Sequence, residues 1–349
     1  MRPSRFFSWG WVLLLAPLLG AQLAVAPRGC HLPYHGAEAN PLLIGRRNVG
    51  GGLDFYSRQK EIDLGRSVSD QINRQAKLVH DPIVTEYINR IAQNLVRNSD
   101  ANVPFTVFVV HDDSLNAFAL PGGFFYVNTG LILASRAEDE LAGAMAHEIA
   151  HVAARHATRN MTKGTLLQLA TIPLEIAAGP MAGGWGSVIV EQGANFVIPL
   201  QFTRFSRGAE READWLGVQY LWKAGYDPNG MVKEFQHLLK LQVQRPGLMD
   251  RAFASHPQTP DRIATSECEI ARVLPARPQY LVNTSDFQRV QHHLAKLLRE
   301  HMAGFQLHPQ RPQGAPQRKK PATVKPPVLK RPGSPAKPGS SPATPHPGI

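Results

Sequence analysis

The segment HEIAH places His147 and His151 four residues apart, with Glu148 directly after the first histidine. On an α-helix, residues four apart lie one turn apart on the same face, so both imidazoles can reach a single metal ion. Zinc is the usual metal for this pattern, and Glu148 would then take a proton from the water that the metal activates. The alternative is that both histidines are core residues and that the pattern has arisen by chance.

The helix that carries this segment is predicted to be buried. Ser135 and Glu138 match a capping box at its start. Residues 141–154 are rich in alanine and contain no charged residue besides Glu148, apart from the two histidines. A lone carboxylate inside a buried helix is costly unless it has a role, which favours a function for Glu148.

A catalytic zinc needs a third protein ligand and an open position for water. The metzincin pattern would put glycine at position 154 and histidine at position 157, but the chain has Ala154 and Ala157. That class of protease is therefore excluded. His156 follows His151 by five residues and would point away from the ligand face of a continuous helix. We interpret His156 as a surface or second-layer residue.

The third ligand is expected in the segment SRGAEREAD, at residues 206–214. Glu210 and Asp214 lie one turn apart on a predicted helix. Glu210 can complete a His, His, Glu site, and Asp214 can accept a hydrogen bond from the far nitrogen of a ligand histidine and so fix its tautomer. Glu212 is the alternative ligand. It faces a different side of the helix from Asp214, so Glu210 ranks first.

Four segments together resemble the HtpX and CAAX-prenyl-endopeptidase family of zinc metallopeptidases, in its soluble exported bacterial form. They are NAFALPGGFFYVNTGLI at 116–132, HEIAHVAARH at 147–156, SRGAEREAD at 206–214 and SHPQTPDRI at 255–263. The resemblance implies an α+β, mostly helical, zincin-like metallopeptidase domain with a small β-sheet beside the HExxH helix. It also implies one zinc ion per chain, with His147, His151 and Glu210 as ligands and Glu148 as the general base.

The same resemblance implies that a histidine at the position of His256 can approach the zinc. It would either donate a hydrogen bond to the developing oxyanion or occupy the open position as a fourth ligand and hold the enzyme inactive. Arg262 would be a second donor to the oxyanion. The segment from Asn116 to Val127 is interpreted as a hairpin whose edge strand pairs with an extended protein substrate; an ordinary hairpin without that role is the alternative.

The chain is predicted to have four parts. Residues 1–26 combine Arg2 and Arg5 with an apolar stretch and the sequence Ala-Val-Ala at 24–26, which is typical of a signal peptide or, if uncut, of an N-terminal anchor. Residues 27–52 are expected to be a mobile lead-in, 53–304 the metallopeptidase domain and 305–349 a disordered tail rich in proline, lysine and arginine. The chain is therefore expected to be exported and periplasmic or associated with the cell envelope.

Two cysteines, Cys30 and Cys268, both follow the predicted signal peptide. In an oxidising compartment they can form a disulfide bond. A free or lipidated Cys30 is the alternative.

The net charge of +11 does not describe a nucleic-acid-binding surface. Eight positive charges lie in residues 306–349, which contain no acidic residue, and the first five residues supply two more. The folded part is left with about +1, so no nucleic acid partner is expected. The tail can contact anionic envelope polymers or the membrane surface, although a plain solvated tail is the simpler interpretation.

Together these patterns predict a zinc metalloendopeptidase that cleaves exported or misfolded cell-envelope proteins, with Glu148 as the base that activates water. The alternative is a latent or chaperone-like zinc protein whose site is closed by His256. Residues 166–200 are apolar but interrupted by prolines and glycines. We interpret them as two buried helical segments, or as a lid or membrane-facing element over the site.

Overall fold

The computed structural model describes residues 39–171, 205–244 and 259–307, two short strands, and the single positions 32, 34, 36, 37 and 256. The predicted signal peptide and the tail beyond residue 307 lie outside these residues. The described helices and strands are α1 (Arg58–Gln75), α2 (Pro82–Arg97), β1 (Thr106–Val110), β2 (Ala117–Leu120), β3 (Phe124–Asn128), α3 (Thr129–Ala134), α4 (Glu138–Ala153), α5 (His156–Thr171), β4 (Ile189–Glu191), β5 (Val197–Pro199), α6 (Arg207–Ala224), α7 (Asn229–Gln244), α8 (Pro260–Arg272) and α9 (Ser285–Leu307).

The chain divides into two units, residues 1–301 and 302–349. The core and the site described below lie in the first unit. Among the residues that the structure describes, no helix is both long and apolar enough to cross a membrane.

Three strands form a small sheet in the order β1-β3-β2. The central strand β3 pairs in parallel with β1 and antiparallel with β2. The connection from β2 to β3 is a 3-10 turn, Pro121–Gly123, in which Gly122 and Gly123 have φ values of 75° and 91°. Glycine adopts this left-handed backbone at little cost. The predicted hairpin is therefore present, and β2 lies at the edge of this sheet.

Helix α4 lies at the centre of the core, between β2 and the helices α2, α6 and α7. Its predicted burial is confirmed, because Leu141, Met145 and Ile149 have no exposed surface. Glycine allows the close approach to α7: a Cβ at Gly143 would lie 2.8 Å from the backbone of Met231. The predicted α+β, mostly helical fold with a small sheet beside the HExxH helix is confirmed.

The start of α4 differs from the predicted capping box. The helix begins at Glu138 after Ala137, and no side chain caps it. Ser135 instead ends the short helix α3, where its hydroxyl donates to the Leu131 carbonyl at 2.9 Å. The Glu138 carboxylate accepts a hydrogen bond from the Tyr226 hydroxyl at 2.9 Å. The capping-box prediction was wrong because both residues have other partners in the folded chain.

Part of the predicted mobile lead-in, residues 27–52, packs into the core. Ile44 and Val49 belong to the main hydrophobic cluster. Arg47 is buried; its Nε donates to Asp100 Oδ2 at 3.0 Å and its Nη1 donates to Gln219 Oε1 at 2.5 Å. The glycine- and proline-containing composition indicated a loop, but it carried no sign of these distant partners. Residues 44–49 thus contribute buried side chains to the core.

The apolar segment 166–200 is only partly described. Helix α5 extends to Thr171, and β4 and β5 form an antiparallel pair at Ile189–Glu191 and Val197–Pro199. Residues 189–191 and 197–199 therefore form strands and not the second predicted helical segment. The remainder of the segment, and with it the lid hypothesis, lies outside the described residues.

The state of Cys268 bears on whether the two cysteines form a disulfide bond or Cys30 is free or lipidated. Cys268 lies in this helix, is buried, and is disulfide-bonded. Cys30 is the only other cysteine in the sequence and hence the only partner within the chain. This finding favours the predicted disulfide over a lipidated Cys30.

Candidate metal centre

Four side chains that can bind a metal converge beside α4. His147 and His151 come from one face of α4, Glu210 from the first turn of α6, and His256 from the connection between α7 and α8. Each side chain offers one nitrogen or oxygen atom, and these four atoms lie within 4.8 Å of one another. All four residues are buried. The structure thus brings together the three predicted ligands and the histidine expected near them.

The separations within this cluster suit a tetrahedral zinc ion. His147 Nε2 lies 3.1 Å from His151 Nε2 and 3.3 Å from His256 Nδ1. Glu210 Oε1 lies 3.0 Å from His256 Nδ1 and 3.5 Å from His151 Nε2. Ligand atoms at about 2.0–2.1 Å from a tetrahedral ion are about 3.3–3.4 Å apart. Both the spacing and the nitrogen and carboxylate donors therefore fit zinc.

The charges in the cluster favour a cation. Burial raises the pKa of Glu210, but His256, His147 and His151 outweigh this effect and hold the pKa well below its usual range. Burial lowers the pKa of His147, yet hydrogen bonds to Asp214 and Glu210 raise it to about 9. A buried, ionised Glu210 stabilises positive charge beside it. A bound metal ion would supply that charge.

The start of α6 positions Glu210. The Ser206 hydroxyl accepts a hydrogen bond from the Ala209 backbone N–H at 3.2 Å and so caps the helix. Glu210 then lies in the first turn, where negative charge is favoured by the helix dipole, and Asp214 follows one turn later. At its other end α6 is followed by Gly225, whose φ of 93° is the left-handed conformation typical of a residue after a helix.

Asp214 and Arg262 support the ligands from behind. Asp214 Oδ1 lies 3.0 Å from His147 Nδ1, the nitrogen that faces away from the cluster. Arg262 donates to both oxygens of Asp214 at 2.6 Å, and its Nη1 lies 3.1 Å from Glu210 Oε2. The predicted placement of Asp214 behind a ligand histidine is therefore present in the structure. Arg262, predicted as an oxyanion donor, directs its guanidinium at two carboxylates, those of Asp214 and of Glu210, the predicted third ligand.

His156 lies behind the second histidine of α4. Its Nδ1 is 2.8 Å from His151 Nδ1, and its Nε2 is 3.1 Å from Glu212 Oε2. Arg155 has a φ of 56°, which ends α4 and directs the first residue of α5 back towards the site. His156 is consequently a buried second-layer residue and not a surface residue. Glu212, the alternative third ligand, faces His156 and is not one of the four residues whose side chains converge on the candidate metal position.

Glu148 lies beside the four-residue cluster, where a general base is expected. Its side chain is buried, and its Oε1 is 3.4 Å from His256 Nε2. Burial raises the pKa of Glu148; His256, His147 and a hydrogen bond from the Ala119 backbone act in the opposite direction. A carboxylate with a raised pKa exchanges a proton more readily near neutral pH. Since Ala119 belongs to β2, the outer edge of this strand faces Glu148.

Comparison with known proteins connects this site to a protease family. Residues 82–269, more than half of the chain, match the model of peptidase family M48. The chain is 32% identical over 261 residues to the beta-barrel assembly-enhancing protease of Yersinia pestis, covering 72% of this chain and 52% of the relative. The protein of the same name from Escherichia coli K12 is 30% identical over 240 residues, covering 65% and 47%.

A eukaryotic relative is also similar. The mitochondrial metalloendopeptidase OMA1 of Schizosaccharomyces pombe is 28% identical over 232 residues, covering 66% of this chain and 65% of the relative. The chain spans about half the length of the bacterial relatives named above.

The match to the family model contains the sheet, α4 and the four-residue cluster. It begins at the first residue of α2 and ends within α8, so His147, His151, Glu210 and His256 all fall inside it. The resemblance inferred from the four sequence segments is thereby confirmed, and the chain belongs to peptidase family M48.

Proposed function

We propose that this chain is a zinc-dependent endopeptidase in which His147, His151 and Glu210 hold the metal and Glu148 is the general base. The observation that carries the proposal is the convergence of these donors within 4.8 Å beside a buried carboxylate. The family of metallopeptidases to which the chain belongs supports the same reaction class.

Each residue around the scissile bond has a distinct task in this proposal. Zinc, when bound, would polarise the scissile carbonyl and the attacking water. Glu148 takes the proton of the water and later passes it to the leaving amine. Asp214 holds the ring of His147 in the orientation that directs Nε2 at the metal. Arg262 holds Asp214 and Glu210 together.

His256 has two candidate roles. Its Nε2 points at Glu148, at 3.4 Å, which suits a donor to the oxyanion that forms beside the base. Its Nδ1 lies at ligand spacing from His147 and Glu210, at 3.3 and 3.0 Å, which suits a fourth ligand that closes the site. The second role is the basis of a second candidate function, a latent or chaperone-like zinc protein.

Substrates are proposed to be exported or misfolded proteins of the cell envelope, bound as an extended strand along β2. The support is the predicted signal peptide, together with the names of the bacterial relatives, which describe proteases that enhance beta-barrel assembly. The outer edge of β2 has no partner strand among the described sheets and faces Glu148. An extended peptide could add to this edge through backbone hydrogen bonds.

The test compares wild type, Glu148→Gln and His256→Ala for bound zinc and for cleavage of unfolded casein. We expect one zinc per chain in all three proteins, cleavage by wild type and none by Glu148→Gln. If His256 closes the site, His256→Ala should cleave faster than wild type; if His256 stabilises the oxyanion, it should cleave more slowly. A wild-type protein that binds no zinc would refute the metal site. If all three proteins bind zinc and none cleaves casein, the latent or chaperone-like protein is favoured.

A further inference from the structure

A pocket opens beside Glu148 on the side of α4 that faces α7. His147, Glu148 and His256 are among the residues that line it, so it borders the site of the proposed reaction. Most of its wall is apolar and comes from the segment before β2, the first residue of β2, α3, α4 and α7: Leu115, Ala117, Leu131, Ala144, Phe235 and Leu238. The small side chain of Ala144, one turn before Glu148, leaves the space that the pocket occupies.

Besides His147, Glu148 and His256, two polar residues line this mostly apolar pocket, Asn116 and Glu234, and only Glu234 carries an ionisable group. Only 2% of Glu234 is exposed, and its Oε2 has no hydrogen-bond partner among the residues that the structure describes. A carboxyl oxygen of Glu234 lies within 4.8 Å of a carboxyl oxygen of Glu140. Glu140 precedes Glu148 on α4 by about two helical turns, a rise of about 12 Å along the helix axis. Glu234 therefore lines a different part of the pocket from Glu148.

The charges around Glu234 leave its carboxyl uncompensated. The nearby Glu140 accepts hydrogen bonds from the backbone N–H, Nε and Nη2 of Arg136, at 3.0, 3.2 and 2.8 Å. Asp139 is paired with Lys233 at 2.9 Å. Burial, together with repulsion from Glu140, raises the pKa of Glu234 to about 8. A buried carboxyl without a partner is costly, and a cation that entered the pocket would relieve that cost.

We infer that this pocket is a subsite for a lysine or arginine side chain next to the scissile bond, with Glu234 as the residue that selects it. The inference rests on the proposed endopeptidase function and names its substrate class. The aliphatic stem of such a side chain would contact the apolar walls while its charged end reaches Glu234. Entry of the cation releases the proton of Glu234, so the selection should strengthen as the pH rises towards 8.

A metal ion is the competing ligand for this carboxyl. Glu140, Glu234 and His237 offer atoms within 4.8 Å of one another. Glu140 is already engaged by Arg136, and His237 Nδ1 is 3.8 Å from Glu140 Oε2, which is long for two ligands of one small ion. The geometry therefore favours a side-chain cation over a second metal.

The first experiment measures cleavage of paired peptides that differ only in lysine or methionine beside the scissile bond. Wild type should prefer lysine by about tenfold or more in kcat/KM, and the preference should increase between pH 6 and pH 8. In Glu234→Gln the ratio should fall to near one at every pH. Glu86→Gln, which removes an exposed carboxylate on α2, should retain the wild-type ratio. A wild-type ratio of one, or an unchanged ratio in Glu234→Gln, would overturn the inference.

A binding measurement separates this inference from the proposed function. The same peptides are titrated against Glu148→Gln protein and against the double variant with Glu234→Gln, without any need for cleavage. Tighter binding of the lysine peptide that is lost in the double variant supports the subsite even if casein is never cleaved. Equal binding of both peptides overturns it. Two zinc ions per chain, falling to one in Glu234→Gln, would assign the carboxyl to a metal site instead.

Discussion

Replacing Glu234 by glutamine should change how the stability of the protein depends on pH. Burial raises the pKa of this carboxyl from its ordinary 4.5 to about 8. Between these two values the folded protein holds one more proton than the unfolded chain, so the free energy of unfolding falls as the pH rises. Below pH 4.5, the ordinary pKa that Glu234 has in the unfolded chain, the carboxyl is protonated in both states and the free energy of unfolding is not reduced. Glutamine has no proton to release, and the variant therefore loses this dependence.

The expected size follows from the pKa difference. One proton of difference changes the free energy of unfolding by about 1.4 kcal/mol per pH unit. Over pH 5 to 8 the loss caused by Glu234 in wild type amounts to roughly 3–4 kcal/mol. The charged groups near Glu234 are unchanged in the variant: Arg136 from the connection before α4, Asp139 and Glu140 from α4, and His237 from α7. The difference between the two proteins therefore reports the one carboxyl.

The assay is urea unfolding of the zinc-loaded proteins at half-unit steps of pH, followed by the fluorescence of tryptophans such as Trp215, which is 2% exposed. Glu234→Gln should gain stability over wild type as the pH rises, and the gain should level off above the folded pKa. Glu86→Gln serves as the control, and its free energy of unfolding should depend on pH in the same way as that of wild type. Parallel curves for wild type and Glu234→Gln would refute the reasoning, because Glu234 would then be ionised and paired in the folded protein.

Three further predictions address the site and the core. Asp214→Asn should weaken zinc binding by about 10- to 100-fold, measured by competition with a chelator; an unchanged affinity would contradict its orienting role. Arg47→Met should destabilise the protein by about 3–5 kcal/mol, because it leaves a buried carboxylate unpaired; the exposed neighbour Arg46→Met is the control, and equal midpoints in urea would contradict the prediction. Gly143→Ala should cost about 1–3 kcal/mol through a clash with α7, whereas Gly164→Ala, with open space around it, should gain about 0.4–1 kcal/mol.

The start of a helix can be recognised in the sequence where its cap is local. Asp81 accepts a hydrogen bond from the Val84 backbone at 3.1 Å, and Thr259 accepts one from the Arg262 backbone at 3.4 Å. In both cases proline follows the cap directly. Such signals involve residues three positions apart and need no information from the remainder of the chain. The same rule failed for Ser135, because its partner lies in α3.

The second layer of the site could not be predicted in the same way. His156 was expected to point away from the ligands because α4 was treated as continuous, and the left-handed backbone of Arg155 reverses that expectation. A positive φ at arginine is unusual, so the residue type carried no warning. The roles of Arg262 and Glu212 likewise depend on which carboxylate or imidazole lies opposite them.

The sequence by itself indicated the proposed reaction class, because the spacing of His147, Glu148 and His151 on one helix is a property of helix geometry alone. It also indicated Glu210, since the third motif has its own helical spacing and cap. Only the tertiary structure decided that His156 lies behind His151 and that Glu234 lines a pocket beside the base, with no hydrogen-bond partner for its Oε2 among the described residues. These features depend on which helix faces which, and that is decided by long-range contacts that no local pattern contains.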